Sequence, residues 1–263
     1  MAPRSPIRSD IAHSTPEAVT VKGRNLADDI LGSVDLGQMA FLMLTDRLPD
    51  PAESRMFNAL AVSLVEHGLT PSVIAARMTL AGAPEAMQAA VAAGLAGLGS
   101  IYVGSTETCA RMLQEAIPDR SAPPDIEETA RQIAERFIAS KTIIPGIGHR
   151  LHKPVDPRAE RLFAISAETG FSGPYVGLMQ AIAQQAARQT GKTLPINATG
   201  AVGAIACELG LPWTIVRGVG VLARAIGLVG HLREELERPM ALQIKEMAER
   251  AAYAHLREDP EDP

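Results

Sequence analysis

Apolar residues recur along most of the chain at spacings of three and four, the period of helices with one buried face. The patterning starts near Asn25. Asp50-Pro51-Ala-Glu53 resembles a capping box and opens a stripe of Met56, Leu60 and Leu64 that stops at Gly68. Thr70-Pro71 opens another helix. The run from Ala86 to Leu98 is nearly all Ala, Val, Leu and Gly, which predicts burial on most sides. Ile126, Ala130, Ile133 and Phe137 line one face of an amphipathic helix, and further helices are expected over 157–169, 174–189, 198–209, 216–236 and 239–257. Small residues at 94, 97, 203, 218 and 220 let helices cross closely. No segment reads as a strand of useful length. Residues 1–22 are polar with three prolines and read as a loose arm, and the charged tail 257–263 is expected to fray. The pattern is all-α.

Composition agrees. Apolar residues make up 46% of the 263 but aromatics only 3%, so Ala, Leu, Gly and Met carry the interior, as in closely packed helices rather than a β-sandwich. The length allows one large domain, or a large domain with a smaller insert. A net charge of -5 leaves no footprint for nucleic acid. Cys109 and Cys207 lie in apolar helical patterns without CxxC spacing, which points to buried thiols in a reducing compartment and to no metal site. No secretory segment opens the chain and no apolar stretch approaches membrane-spanning length, so a cytoplasmic protein that needs no membrane is expected.

The chemistry concentrates in Pro145-Gly-Ile-Gly-His-Arg-Leu-His-Lys-Pro-Val-Asp-Pro-Arg-Ala159. Gly146 and Gly148 let backbone approach a ligand closely. His149 sits on a bend, Lys153 and Arg158 follow, and Asp156-Pro157 reads as a helix start. An imidazole and several cations beside a helix N-terminus suit a polyanion carrying carboxylates or phosphates; a basic surface loop with a chance histidine has the same residues. Elsewhere, His67 at a helix end either caps carbonyls or binds a ligand. Arg217, opening a Gly-rich apolar helix, either snorkels or holds an anion. Arg238 before Pro239 has the look of many surface charges, and Asn197 or Thr199 in Leu194-Pro-Ile-Asn-Ala-Thr-Gly200 can cap a helix.

Taken in order, these segments resemble the citrate synthase superfamily, especially its short citryl-CoA lyase-like branch, from about Leu26 to Pro239. Ile30-Leu-Gly with Phe41-Leu-Met-Leu-Thr-Asp-Arg-Leu-Pro49 resembles the family's opening segment. Val65-Glu-His-Gly-Leu with Ala75-Ala-Arg77 resembles its DHxL…AAR segment. Gly146-Ile-Gly-His-Arg with Asp156-Pro-Arg158 resembles GxGHxxxxxxDPR, the most specific match. Arg217-Gly-Val-Gly and Glu237-Arg238-Pro239 complete the order.

The resemblance implies a fold and roles. The fold is a large helical domain (23–104 with 213–263) and a small one (105–212), with the site in the cleft between them. His149 matches the histidine that exchanges a proton with the oxygen of the 2-oxo acid carbonyl, and His67 the one that positions the 2-oxo acid. Arg158, Arg217 and Arg238 match the arginines that clamp its carboxylates, Arg238 reaching in from a partner subunit. Gly146, Gly148 and Lys153 fall where coenzyme A approaches. A coenzyme A thioester and a small carboxylate are thus the implied substrates, and a homodimer or higher homo-oligomer the implied assembly.

Two positions depart from the family pattern. Val103 falls where an HGG histidine stabilises the thioester enolate, with Tyr102 there if the register slips by one. Thr199 falls where a carboxylate moves the methyl proton. Losing such a base costs two to four orders of magnitude, roughly, and losing the enolate stabiliser about as much again. Condensation of acetyl-CoA with oxaloacetate is therefore not expected. Cleavage of citryl-CoA, or of a related 3-hydroxy-3-carboxyacyl-CoA, to a 2-oxo acid and an acyl-CoA is the expected activity, with Tyr102 or Thr199 among the groups facing the enolate. An acyltransferase using a different acyl-CoA or 2-oxo acid, and a non-catalytic citrate- or CoA-binding paralogue, are the other readings.

Overall fold

The computed structural model describes residues 7–101, 103–148 and 154–256. Three short antiparallel strands open it, β1 (Ala12–Ser14), β2 (Val19–Val21) and β3 (Arg24–Asn25), with Ala12 opposite Val21 and Thr20 opposite Asn25. Where the sequence reads as a loose arm, the backbone pairs. A π-helical turn, Leu26–Ile30, follows, its first N–H groups accepted by Asn25. Eleven α-helices make up the rest of the described regular structure, apart from a 3-10 turn at Ala254–Leu256: α1 (Leu36–Thr45), α2 (Pro51–Val65), α3 (Pro71–Gly82), α4 (Met87–Ala96), α5 (Gly104–Ala116), α6 (Ile126–Ala139), α7 (Pro157–Thr169), α8 (Pro174–Thr190), α9 (Ala198–Glu208), α10 (Trp213–Glu237) and α11 (Ala241–Ala252). The fold is all-α.

The expected starts form for the expected reasons. Asp50 accepts from the Glu53 N–H at 2.8 Å while Glu53 accepts from the Asp50 N–H at 2.9 Å, a reciprocal cap that opens α2. Thr70 caps α3, and Asp156 caps α7 with Pro157 as its first residue.

Two compact units divide the chain: residues 1–61 with 106–216, and residues 62–105 with 217–263. The sequence-based division grouped 23–104 with 213–263. In the first unit, α8 packs on α6 and α9, and α9 also on α7. Its interior includes Phe57, Leu113, Ile117, Leu178, Met179 and Ile182, all fully buried or nearly so. In the second, Val73, Ala76 and Leu80 of α3, Ala90 of α4, and Leu228 and Leu232 of α10 form one apolar cluster.

Two expectations are corrected. The run 86–98 is not covered on most sides: only Ala90, Gly94 and Leu98 are buried, because the single stripe facing α3 and α10 is all that one chain covers. Gly94 lies where a β-carbon would come within 2.7 Å of Leu228. The other concerns α10, whose 25 residues are long and apolar enough, by length and composition, to cross a membrane. A core helix passes the same test, and Leu228 and Leu232 of α10 are fully buried among the helices of the second unit.

Candidate active site

In the first unit the site is built on the N-termini of α7 and α9. The segment 145–148 runs antiparallel to 195–197: Gly148 N–H donates to the Pro195 carbonyl at 2.7 Å, and Asn197 N–H to the Gly146 carbonyl at 3.0 Å. Asn197 then works twice. Its amide nitrogen donates to the Gly148 carbonyl at 2.8 Å, while its side-chain oxygen accepts from the Gly200 N–H at 3.1 Å and caps α9. Gly146 and Gly148 adopt φ of 84° and 91°, and a β-carbon on Gly146 would lie 2.5 Å from the Gly200 Cα. The two glycines therefore serve the backbone that delivers the chain to position 149. Thr199, in the first turn of α9, donates its hydroxyl to the Asn197 side-chain oxygen at 2.6 Å.

Asp156 joins the two helix starts. Its fully buried carboxylate accepts from the N–H groups of Arg158 and Ala198, each at 3.0 Å, and from the Arg158 guanidinium at 2.8 and 3.1 Å. Burial acts to raise its pKa, yet the hydrogen bonds from Arg158 and the Ala198 N–H hold the carboxyl below its usual value. The sequence marked Asp156 only as a cap. It also fixes the direction of Arg158, at the positive end of α7, where an anion is favoured twice over.

His149, Lys153 and Tyr102 lie outside the described residues. Val103 is buried, its side chain filling the space above Gly220 of α10.

In the second unit, His67 follows α2 and is exposed, its N–H held by Glu66 at 2.7 Å. Arg217 is half-buried in the first turns of α10, its guanidinium against Gly104 at the start of α5. Arg238, after the other end of α10, is exposed and 3.5 Å from Glu234. At about 1.5 Å per residue, Arg238 is roughly 30 Å along the helix axis from Arg217, so the structure does not bring these two arginines of one chain together.

The residue the sequence reading missed is Arg224. It is only 8% exposed, and its Nε and Nη1 find no hydrogen-bond partner among the described residues. A guanidinium with buried N–H groups left unpaired is costly and calls for an anion. The signal was present in the sequence: Arg217, Arg224 and His231 recur every seven residues, nearly two helical turns, with Gly220 and Gly227 between them on an otherwise apolar helix. The helix N-termini of the first unit and the buried arginine of the second are each suited to a carboxylate.

Residues 14–244 match the family model described as citrate synthase, C-terminal domain. The chain is similar to a solved citryl-CoA lyase from Hydrogenobacter thermophilus, with 34% identity, a TM-score of 0.80 and 88% of both chains covered. It is 27% identical to a citrate synthase of Synechocystis over 86% of its own length and 59% of that relative's. A solved ATP citrate lyase from Methanothrix soehngenii, in complex with citrate and coenzyme A, shares the fold, with a TM-score of 0.72 at 18% identity over 90% of this chain and 40% of that one. The chain thus spans about half to three-fifths of the length of the first curated relatives it matches. Asp156, Arg158, Asn197 and Arg224 all fall within the matched span, and the protein belongs to the citrate synthase family.

Proposed function

We propose that this protein is a carbon–carbon lyase that cleaves citryl-CoA, or a related 3-hydroxy-3-carboxyacyl-CoA, into a 2-oxo acid such as oxaloacetate and an acyl-CoA. The observation that carries the reading is the likeness to a citryl-CoA lyase over 88% of both chains at 34% identity. The citrate synthases are more distant relatives, so condensation is the less favoured direction.

The reaction is a retro-Claisen cleavage. A base takes the proton from the substrate's hydroxyl, the oxygen becomes the carbonyl of the 2-oxo acid, and the adjacent carbon–carbon bond breaks. Its electron pair passes to the thioester as an enolate, which takes up a proton at carbon to give the acyl-CoA. By resemblance His149 is the base, delivered by the 145–148 segment that is pinned to α9. Arg158, oriented by Asp156, suits a carboxylate of the substrate, and so does Arg224, whose Nε and Nη1 find no hydrogen-bond partner among the described residues. The N-terminus of α9 is the described group suited to the enolate oxygen, where positive potential lowers its energy, and Thr199 joins it only by turning its hydroxyl away from Asn197. With Val103 and Thr199 in place of the family's histidine and carboxylate, proton exchange at the methyl carbon is slowed in both directions, and the step left to this chain's own residues is removal of the hydroxyl proton by His149.

We also propose a homodimer acting in the cytoplasm. Leu222, Ile226, Val229 and Leu236 form one exposed apolar stripe along α10, 46–56% exposed. Arg238 also lies too far along α10 to meet a ligand held by its own chain's Arg217.

The test is incubation of the purified chain with citryl-CoA, oxaloacetate release being coupled to malate dehydrogenase. Turnover above the spontaneous rate, lost in His149→Ala, is the expected result. Tight binding without turnover would assign the chain to the non-catalytic reading.

A further inference from the structure

The loop that carries His67 is held by a chain of side chains to which neither the resemblance nor the proposed reaction gives a role. Gly227 is where it begins. A β-carbon there would lie 2.1 Å from the Val65 carbonyl oxygen, so only glycine lets the end of α2 seat directly on α10. That contact brings Glu66 beside His231. Glu66 Oε1 accepts from the N–H groups of both His67 and Gly68, at 2.7 and 2.6 Å. Its Oε2 lies 2.9 Å from His231 Nε2, in contact but off the hydrogen-bond line. On the other side of the ring, Nδ1 is 2.8 Å from Arg77 Nη2.

The proton on this ring is fixed by its neighbours. A guanidinium only donates, so Nδ1 must accept, and the ring's proton sits on Nε2 facing Glu66. Arg77 is fully buried and itself held by carboxylates from the next turn of α10: Glu235 Oε2 at 2.8 Å, and Glu234. Glu235 also accepts the N–H groups of Met240 and Ala241 at the start of α11. Glu66 from the end of α2, Arg77 from α3, and Glu234 and Glu235 on α10 surround the imidazole, and Arg233, Glu237 and Arg238 line the same cavity. Burial acts to raise the Glu66 carboxyl, but the neighbouring His231 ring and two backbone N–H groups hold it below its usual value, in its accepting form.

We infer that Glu66, His231 and Arg77 form a positioning relay for His67, in which a neutral imidazole braces the carboxylate that sets this residue's backbone. For the role of His67 the inference rests on the reaction proposed above. The relay ends on the N–H of His67 itself, so a shift of Glu66 moves the Cα from which that imidazole projects. His231 is a positioning residue here. A merely structural role for the same groups would tie α2, α3 and α10 together and leave the direction of His67 unchanged.

The test uses the full chain as wild type, His231→Leu, His231→Gln and Glu66→Ala, with nitrogen-15 NMR of labelled histidines and steady-state cleavage of citryl-CoA. The wild type should show His231 as the neutral tautomer protonated on Nε2. His231→Leu should move the ring signals of His67 and raise KM about two- to thirtyfold, with kcat changed far less, the range seen for residues that act through a network. His231→Gln offers an amide oxygen to Arg77 and an N–H to Glu66, and should return both readouts close to wild type. Glu66→Ala, at a half-exposed site, should move the same His67 signals even where His231→Leu does not fold. Unmoved His67 signals in both Glu66→Ala and a folded His231→Leu, equal KM values for the Leu and Gln variants, or a proton on Nδ1 would each overturn the relay. A wild type that shows these signals but releases no oxaloacetate overturns the proposed reaction and leaves the relay standing.

Discussion

Arg224 is the residue whose environment most needs a ligand. Its guanidinium is desolvated and two of its nitrogens lack acceptors among the described residues, so the ligand-free protein carries a cost that a bound carboxylate removes. Arg224→Met should therefore leave the melting temperature of the ligand-free protein unchanged or higher. It should also weaken citrate or oxaloacetate binding about ten- to hundredfold, the worth of a charge-assisted pair of roughly 1.5–3 kcal/mol. Thermal shift with and without citrate reads both effects, and an undiminished citrate shift would remove Arg224 from the site. Asp156 makes the opposite case, a buried charge with its partners in place. Its carboxyl is held below the usual value in the folded state, so its stabilisation is fully present above the unfolded value near 4, roughly, and is lost as pH falls through the lowered one. Urea unfolding at pH 7 should show Asp156→Ala less stable by about 3 kcal/mol, and the gap should narrow in acid. A gap independent of pH would mean that packing, not charge, is what the variant loses.

At the scale of elements, the legible parts of the sequence were those where local chemistry and burial agree. Asp50 with Glu53, Thr70 with Pro71, and Asp156 with Pro157 each mark a helix start that the structure forms. The strands over 12–25 were not legible because two or three residues cannot show an alternating pattern, and β1 is exposed along its whole length. The breadth of burial of α4 was overread because an Ala-rich helix looks the same whether one face or all of it is covered. Among site residues, the caps and the cations flanking them were legible. Arg224 was not, since one arginine in an apolar helix announces neither its burial nor its missing partner until the neighbours are placed. Asp156 was read for its cap alone, because its bond to Ala198 spans 42 residues and no local pattern carries it. The pinning of 145–148 to α9 also has a testable cost. Gly146→Ala puts a β-carbon at positive φ against the Gly200 backbone and should destabilise by about 2–4 kcal/mol in urea. A neutral substitution would show that the two segments can part without consequence.

At the scale of the whole molecule, the apolar stripe on α10 should bring two copies together. Ile226→Asp should convert a dimer at micromolar concentration into a monomer, as sedimentation would show, because an unpaired carboxylate would have to enter a dry interface. A wild type that sediments as a monomer would end the homodimer proposal. The span of α10 then carries a genetic meaning. Arg238 lies about 20 Å along the helix from Arg224, so in a dimer each ligand would draw Arg224 from one chain and Arg238 from the other. Assayed at a substrate level too low for either variant alone, Arg224→Met and Arg238→Ala should then complement one another. In a mixed pair the chain that keeps Arg224 meets the intact Arg238 of its neighbour, and one site in two is whole. With equal, random reassortment half the pairs are mixed, so about a quarter of wild-type activity should reappear on co-refolding, although neither variant is active alone.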